Sequence, residues 1–306
     1  MDQPTFRTPT DGDVPAMAAL AAACQPDPDL FCMYLGMEAD SIAADVLDAD
    51  RWTETTVVAE RDGELIGWLL AEVDPEMGRL WWWGPFSAEG LDPLGDQLYV
   101  EVRRRLAENI DATFDEEEAC ADDRSNSIPA WCARHDMEPE TASVLLRRNP
   151  GSVTADPRVR PLATAGSAPD RDTGPATDGE RDRQAVQALH DVAFPGTHST
   201  AEALVASTHP RLVIDVDGEV AGYVAFEMQS DGSGYIDYIA VAEHQQGRGL
   251  GGALVETASK QMFDAGVTHV HLTVREDNAA ARALYARLGF IEERLARPYR
   301  RGFRLS

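Results

Sequence analysis

A stretch near the start of this 306-residue chain is written again 155 positions later. VVAERDGELIGWLLAEV at 57–73 and LVIDVDGEVAGYVAFEM at 212–228 each read as a β-hairpin, with an Asp-Gly turn and apolar alternation after it. Asp62, Gly63 and Gly67 align with Asp217, Gly218 and Gly222, an offset of 217 − 62 = 155. A helical pattern follows each hairpin, Leu94, Leu98, Val102 and Leu106 matching Leu250, Leu254, Ala258 and Met262 at 250 − 94 = 156. The beginnings agree too, since FRTPTDGDVPAMAAL at 6–20 echoes VRPLAT at 159–164 followed by ERDRQAVQALHDVAF at 180–194. Near-equal offsets imply one ancestral α/β unit present twice, with a boundary at Asn149-Pro150-Gly151, giving domains 1–150 and 151–306. The polar, Pro/Gly-rich insertion at 165–179 predicts a mobile loop in the second copy.

The copies differ where strand meets helix. IAVAEHQQGRGLGG, from Ile239 to Gly252, runs an apolar strand into a glycine-rich helix start. Glycines at 247, 249, 251 and 252 let backbone N–H groups approach a ligand closely, and the helix behind presents its positive end to an anion. The segment therefore predicts a pyrophosphate cradle. Gly247, Gly249 and Gly252 satisfy G-x-G-x-x-G, but a dinucleotide fold needs further βαβ units and only 54 residues follow Gly252. Coenzyme A is the other ligand that fits. In the first copy the same place reads GLDPLGD, where Asp92 and Asp96 would repel a pyrophosphate.

Gln246-x-x-Gly249-x-Gly251, together with Asn278, Tyr285 and Gly289-Phe290 in HLTVREDNAAARALYARLGF, resembles the GNAT N-acetyltransferase superfamily. The resemblance covers about 159–306. It implies an α/β fold of two tandem GNAT-like domains, each a mixed, mostly antiparallel sheet flanked by helices, with acetyl-CoA as cosubstrate and no metal. It implies that Ile239, Ala240 and Val241 form a splayed strand whose Val241 N–H bonds the thioester carbonyl. Gln246, Gly247, Arg248, Gly249, Leu250, Gly251 and Gly252 form the pyrophosphate turn. Asn278 contacts the pantetheine arm or closes the strand–helix turn, and Tyr285 protonates the coenzyme A sulfur. The duplicated architecture is similar to mycothiol synthase, a tandem member of the superfamily. The first copy, with Cys132 opposite Tyr285 and Asp136 opposite Gly289, reads as degenerate.

Attack by an amine also needs a base. Asp237, a carboxylate inside the apolar strand YIDYIAV, is the first candidate because burial raises a carboxylate's pKa. Period 2 would place it on one face with Tyr235, Ile239 and Val241. Glu227 is the alternative, and a water chain the third. The segment at 274–290 looks like the ribosomal-protein N-terminal acetyltransferases, but Thr273 stands where they carry a glutamate, which puts a peptide acceptor in doubt. The reading is acetyl transfer from acetyl-CoA to a primary amine, small molecule or peptide terminus, by direct attack. The alternative is a catalytically silent acyl-CoA-binding sensor or scaffold.

Composition sets further bounds. With 53 acidic residues against 27 basic ones the formal charge is −26, which repels nucleic acid and anionic membrane surfaces. Such a coat suits a salt-rich cytoplasm, where screening removes self-repulsion. The four cysteines lack C-x-x-C spacing, and neither a leader nor an 18-residue apolar run is present, so the expectation is a cytoplasmic protein with reduced, buried thiols and an open oligomeric state. His269 and His271 share a strand face without further ligands nearby. Trp81, Trp82 and Trp83 read as core and interface. The acidic run DEEEACADD at 115–123 reads as a solvated strand end and loop. The arginines 294, 297, 300, 301 and 304 read as a solvated edge or as a site for an acidic group.

Overall fold

The computed structural model describes residues 3–75, 77–110, 114–162, 178–195, 197, 199–229 and 231–302. It forms two compact units: Met1–Val144 with Arg275–Asp277 and Arg294–Ser306, and Leu145–Val274 with Asn278–Glu293. The second unit thus begins at Leu145 rather than after 150, and Arg294–Gly302 groups with the first. The insertion expected to be mobile lies almost wholly outside the described residues. No helix among the described residues is long and apolar enough to cross a membrane.

The first unit runs β1 (Thr5–Arg7), α1 (Val14–Cys24), α2 (Ala39–Asp48), α3 (Trp52–Thr55), β2 (Thr56–Arg61), β3 (Glu64–Asp74), β4 (Arg79–Ser87), α4 (Leu94–Asn109), β5 (Glu116–Asp122), α5 (Ser127–Arg134) and β6 (Glu138–Pro139). β7 (Ser143–Arg148) leads into the second unit. There follow β8 (Val159–Pro161), α6 (Asp178–Ala193), α7 (Ala201–Ala206), β9 (Arg211–Val216), β10 (Glu219–Met228), β11 (Gly234–Val241), α8 (Leu250–Asp264), β12 (Val270–Arg275), α9 (Ala279–Arg287) and β13 (Ile291–Gly302). The first unit's strands lie in the order β1-β2-β3-β4-β5-β13, and the second's in the order β7-β12-β11-β10-β9-β8. The β4–β5 and β11–β12 pairs are parallel, and the hairpins are antiparallel.

The repeat is carried in backbone detail. Asp62 and Gly63 both have positive φ, as do Asp217 and Gly218, the geometry of a tight type I′ turn in each hairpin. Each hairpin also has a register shift at matching places, leaving Ile66 and Ala221 as the extra residues, at 221 − 66 = 155. The next residue must be glycine in both. A Cβ on Gly67 would meet the Phe86 carbonyl oxygen at 2.8 Å, and one on Gly222 the Ala240 carbonyl oxygen at 2.8 Å. All eight of the predicted helix-face residues are buried, from Leu94 to Leu106 on α4 and from Leu250 to Met262 on α8.

Two surface readings are corrected. The acidic run is strand β5, and Arg294–Gly302 of β13 pairs with it antiparallel, Ala296 opposite Asp122 and Gly302 opposite Glu116. The acids and arginines interleave: Arg294 bonds Asp122 at 2.7 Å, Arg297 bonds Asp123 at 2.9 Å, Arg300 bonds Glu118 at 2.5 Å, and Arg301 bonds Glu117. Arg304 lies outside the described residues. Glu117 has no exposed surface. It accepts hydrogen bonds from Trp82 Nε1 at 2.9 Å, from the Tyr99 hydroxyl at 3.1 Å and from Arg103 at 3.1 Å. Trp82 and Trp83 belong to the core, and all four cysteines are buried free thiols.

Candidate active site

The second unit opens where its parallel strands part. β11 and β12 pair at Gly234–Val270, Tyr235–His271 and Ile236–Leu272, and the pairing stops there although β11 continues to Val241. Ala242 N–H donates to Ala221 on the β10 side at 2.9 Å. Strand alternation therefore turns the Val241 and Ile239 N–H groups the other way, towards the gap left by β12. A carbonyl oxygen entering that gap would meet donors whose neighbouring strand has moved away.

The cradle lies just beyond. Gly247 has φ 75° and Gly249, the N-cap of α8, φ 78°, and a Cβ on either would meet nothing within 4 Å. Left-handed backbone at both positions turns successive N–H groups outward, and open space lies over them. The first turn of α8 holds no acidic residue. A Cβ on Gly251 or Gly252 would lie 3.5 Å from the Leu284 side chain of α9, an ordinary contact distance, so this part of the helix start faces α9. Gln246 Nε2 donates to the Val241 carbonyl at 3.1 Å, and Arg248 donates to Gln245, so these side chains brace the turn. Leu250 is buried and anchors the helix start. Asn278 closes the other strand–helix turn: its Oδ1 accepts from Ala281 N–H at 3.1 Å as the N-cap of α9.

The first unit fills the equivalent place with its own ions. Arg134 of α5 bonds Asp92 at 2.5 Å and Asp96 at 2.9 Å, and His135 Nε2 lies 2.8 Å from Asp96. Asp136 nevertheless keeps a positive φ of 59° at the end of α5, as Gly289 does with 83° after α9.

The acid and base candidates divide between two faces. Tyr285 is 5% exposed, with its ring edge-on to Phe290 at 5.7 Å. Its hydroxyl has no hydrogen-bond partner among the described residues and is not sealed from solvent. Burial, with a smaller contribution from Tyr235, pushes its pKa up to about 12, so the phenol stays protonated.

Asp237 does not share a face with Ile239 and Val241. The β10–β11 register jumps from Ala225–Tyr238 to Phe226–Ile236, which leaves Asp237 as the extra residue of a β-bulge. Gly234 faces Met262 of α8, and Val241 also lies on the α8 side beside Gly251, seven residues on. An odd spacing on one face is what one bulge produces. Tyr238 and Ala240 pack instead with Val186 of α6 and Leu204 of α7.

Asp237 is exposed, yet the protein around its carboxyl and the charge of Glu227 raise its pKa to about 6, against the opposing pull of His209 and His190. Glu227 Oε2 is 3.0 Å from His209 Nδ1, a partner that no sequence pattern announced. Thr273 Oγ1 and the Tyr235 hydroxyl are 3.1 Å apart. His271 Nε2 contacts Gln229 at 2.9 Å, and His269 Nδ1 contacts Thr268 at 2.9 Å.

Comparison with known proteins now decides the family. The model of the acetyltransferase (GNAT) family matches residues 183–290. An uncharacterized N-acetyltransferase of Methanocaldococcus jannaschii is 32% identical over 123 residues, 39% of this chain and 78% of that protein. The chain belongs to the GNAT acetyltransferase family. Solved GNAT structures share the fold over nearly its whole length. A GCN5-related N-acetyltransferase from Sphaerobacter thermophilus superposes with a TM-score of 0.73 at 21% identity, covering 99% of this chain and 96% of that one. A tandem GNAT protein from the clavulanic acid biosynthesis pathway gives 0.65 at 14% identity and 98% of both chains. The architecture is thus that of a tandem GNAT protein, and the activity in its coarse form is acetyl transfer.

Proposed function

We propose that the second unit transfers acetyl from acetyl-CoA to a primary amine by direct attack. The observation that carries this reading is the parting of β11 from β12 immediately before the open Gly247–Gly249 turn. One leads a thioester to unpaired strand N–H groups, and the other takes the pyrophosphate.

The chemistry follows from the residues present. The Val241 N–H polarises the thioester carbonyl and stabilises the oxyanion that forms when the amine nitrogen attacks. Asp237, with a pKa of about 6, is ionised at neutral pH and takes the proton that the nitrogen sheds. Collapse of the tetrahedral intermediate breaks the C–S bond. The Tyr285 hydroxyl, held protonated, hydrogen-bonds the departing thiolate and delivers a proton to it. Transfer from a phenol near 12 to a thiolate near 8.5 is uphill, so Tyr285 acts first as a hydrogen-bond donor. Glu227, paired with His209, is the second base candidate. We assign the first unit no acetyl-CoA chemistry, because Arg134 and two carboxylates occupy its cradle.

Thiol release from acetyl-CoA across a panel of primary amines tests the reading. Tyr285→Phe and Asp237→Asn should each lower turnover by at least tenfold while leaving acetyl-CoA binding intact. Binding of acetyl-CoA without transfer to any amine would favour a silent acyl-CoA-binding module. No binding by folded protein would sink both readings.

A further inference from the structure

On the face of the second unit covered by α6 and α7, one buried cation meets no anion among the described residues. Arg211 begins β9 and is 5% exposed. It pairs with Ala225, and Ala225 pairs with Tyr238. Both of those residues pack with Leu204 and Val205 of α7, and directly opposed residues share a sheet face, so Arg211 points beneath α7. There its Nη1 donates to the Leu204 carbonyl, its Nε is sealed without a partner, and its Nη2 is neither bonded nor sealed.

No carboxylate among the described residues meets it, and burial is what acts on its charge, lowering its pKa. Other buried or half-buried arginines are treated differently. Arg148 faces Glu256 at 3.0 Å, Arg294 faces Asp122 at 2.7 Å, and Arg160 faces both Asp182 and Asp215 at 2.6 Å. A chain with 53 acidic residues does not lack carboxylates to place there. The Leu204 bond complements the last turn of α7 but uses one of five N–H donors. The desolvated remainder fits an anion that arrives from outside.

Arg211 shares its face with the acceptor end of the candidate active site. Glu227 lies two residues beyond Ala225 on β10, and Asp237 adjoins Tyr238 on β11. Two strand spacings of about 4.8 Å therefore separate the guanidinium's strand from that of Asp237. We propose that Arg211 is the counter-ion for a carboxylate on the acceptor, which makes the acceptor a compact amino carboxylate with its amine at Asp237 and its carboxylate at Arg211. The planar guanidinium fork matches a carboxylate. This rests on the amine-transfer reading and narrows it to a substrate class.

Matched pairs of free amino acids and their carboxamides, offered with acetyl-CoA to wild type, Arg211→Lys and Arg211→Met, test the proposal through thiol release. Thermal shifts with the same compounds, without acetyl-CoA, give a second readout. Wild type should prefer at least one acid over its amide by about tenfold, a difference of about 1.4 kcal/mol. That preference should collapse in Arg211→Met and persist partly in Arg211→Lys. The melting temperature of Arg211→Met should hold or rise, because an apolar isostere removes an uncompensated buried charge. Equal use of acid and amide by wild type would overturn the proposal. So would an acid preference that survives in Arg211→Met, or a loss of stability there with the preference intact, which would make Arg211 a helix cap alone. If no amine is acetylated at all, the transfer reading fails instead. The thermal shifts still decide Arg211: stabilisation by amino acids in wild type and not in Arg211→Met supports it, and no stabilisation in either overturns it.

Discussion

Replacing Gly249 with Asp and, in parallel, with Asn separates charge from shape at the cradle. The residue sits at φ 78° as the N-cap of α8 with nothing within 4 Å of a Cβ, so either side chain fits in open space. Asn and Asp are the non-glycine residues that tolerate this backbone best, at a strain of about 1 kcal/mol that the two variants share. They differ by one negative charge beside the expected pyrophosphate. At about 5 Å that charge costs roughly 1 kcal/mol in water-like surroundings and about 3 kcal/mol at an effective dielectric of 20. Acetyl-CoA should therefore bind Gly249→Asp roughly fivefold to 150-fold more weakly than Gly249→Asn, by calorimetric titration in dilute buffer. In molar salt, where the screening length is about 3 Å, most of that excess should vanish. Equal affinities for the two variants in dilute buffer would refute the placement of the pyrophosphate on this turn. Against a net charge of −26, one further carboxylate changes little unless it lies close to the ligand.

Four other outcomes are expected. Turnover should fall as pH drops through about 6, where Asp237 takes up its proton, and Asp237→Asn should lose that limb. Because the folded-state pKa of Asp237 lies above that of an unfolded aspartate, ionisation disfavours the fold. Asp237→Asn should thus melt higher than wild type above about pH 6, with the gap closing towards pH 4; a constant gap would contradict the raised pKa. Glu117→Ala removes the carboxylate that Trp82, Tyr99, Arg103 and Arg301 all bond, and should cost about 3–5 kcal/mol in denaturant unfolding, with a loss under about 1 kcal/mol counting against it. Melting temperature should rise between dilute and molar potassium chloride as self-repulsion is screened, and a flat response would remove the salt-adaptation argument.

What could be read beforehand was what depends on neighbours in sequence. The Asp-Gly turns, the i, i+4 apolar stripes of α4 and α8 and the Gly247–Gly252 turn are each fixed within a few residues, and each is where the pattern put it. Pairing between distant segments was not legible. DEEEACADD and the arginines after 293 each look like solvated surface alone, and become buried partners only when β13 lies against β5. The face of Asp237 failed for a subtler reason, since one bulge residue inverts every later side chain and leaves no mark in the apolar pattern. His209 and Arg211 were missed because they flank a strand start, where neither periodicity nor motif draws attention.

The partnership of β5 with β13 also has a temporal side. Synthesis runs from the N-terminus, so β1 to β5 exist as chain well before Arg294–Gly302 has been made. Through that interval Glu117 has Arg103 and Glu118 the more distant Arg79, but Arg301 and Arg300 are still missing, and one edge of the first unit's sheet stays open. The nascent first half is therefore an acidic, incomplete sheet kept soluble by its own repulsion, and the residues that finish it are delivered only after the whole second copy of the repeat has been translated.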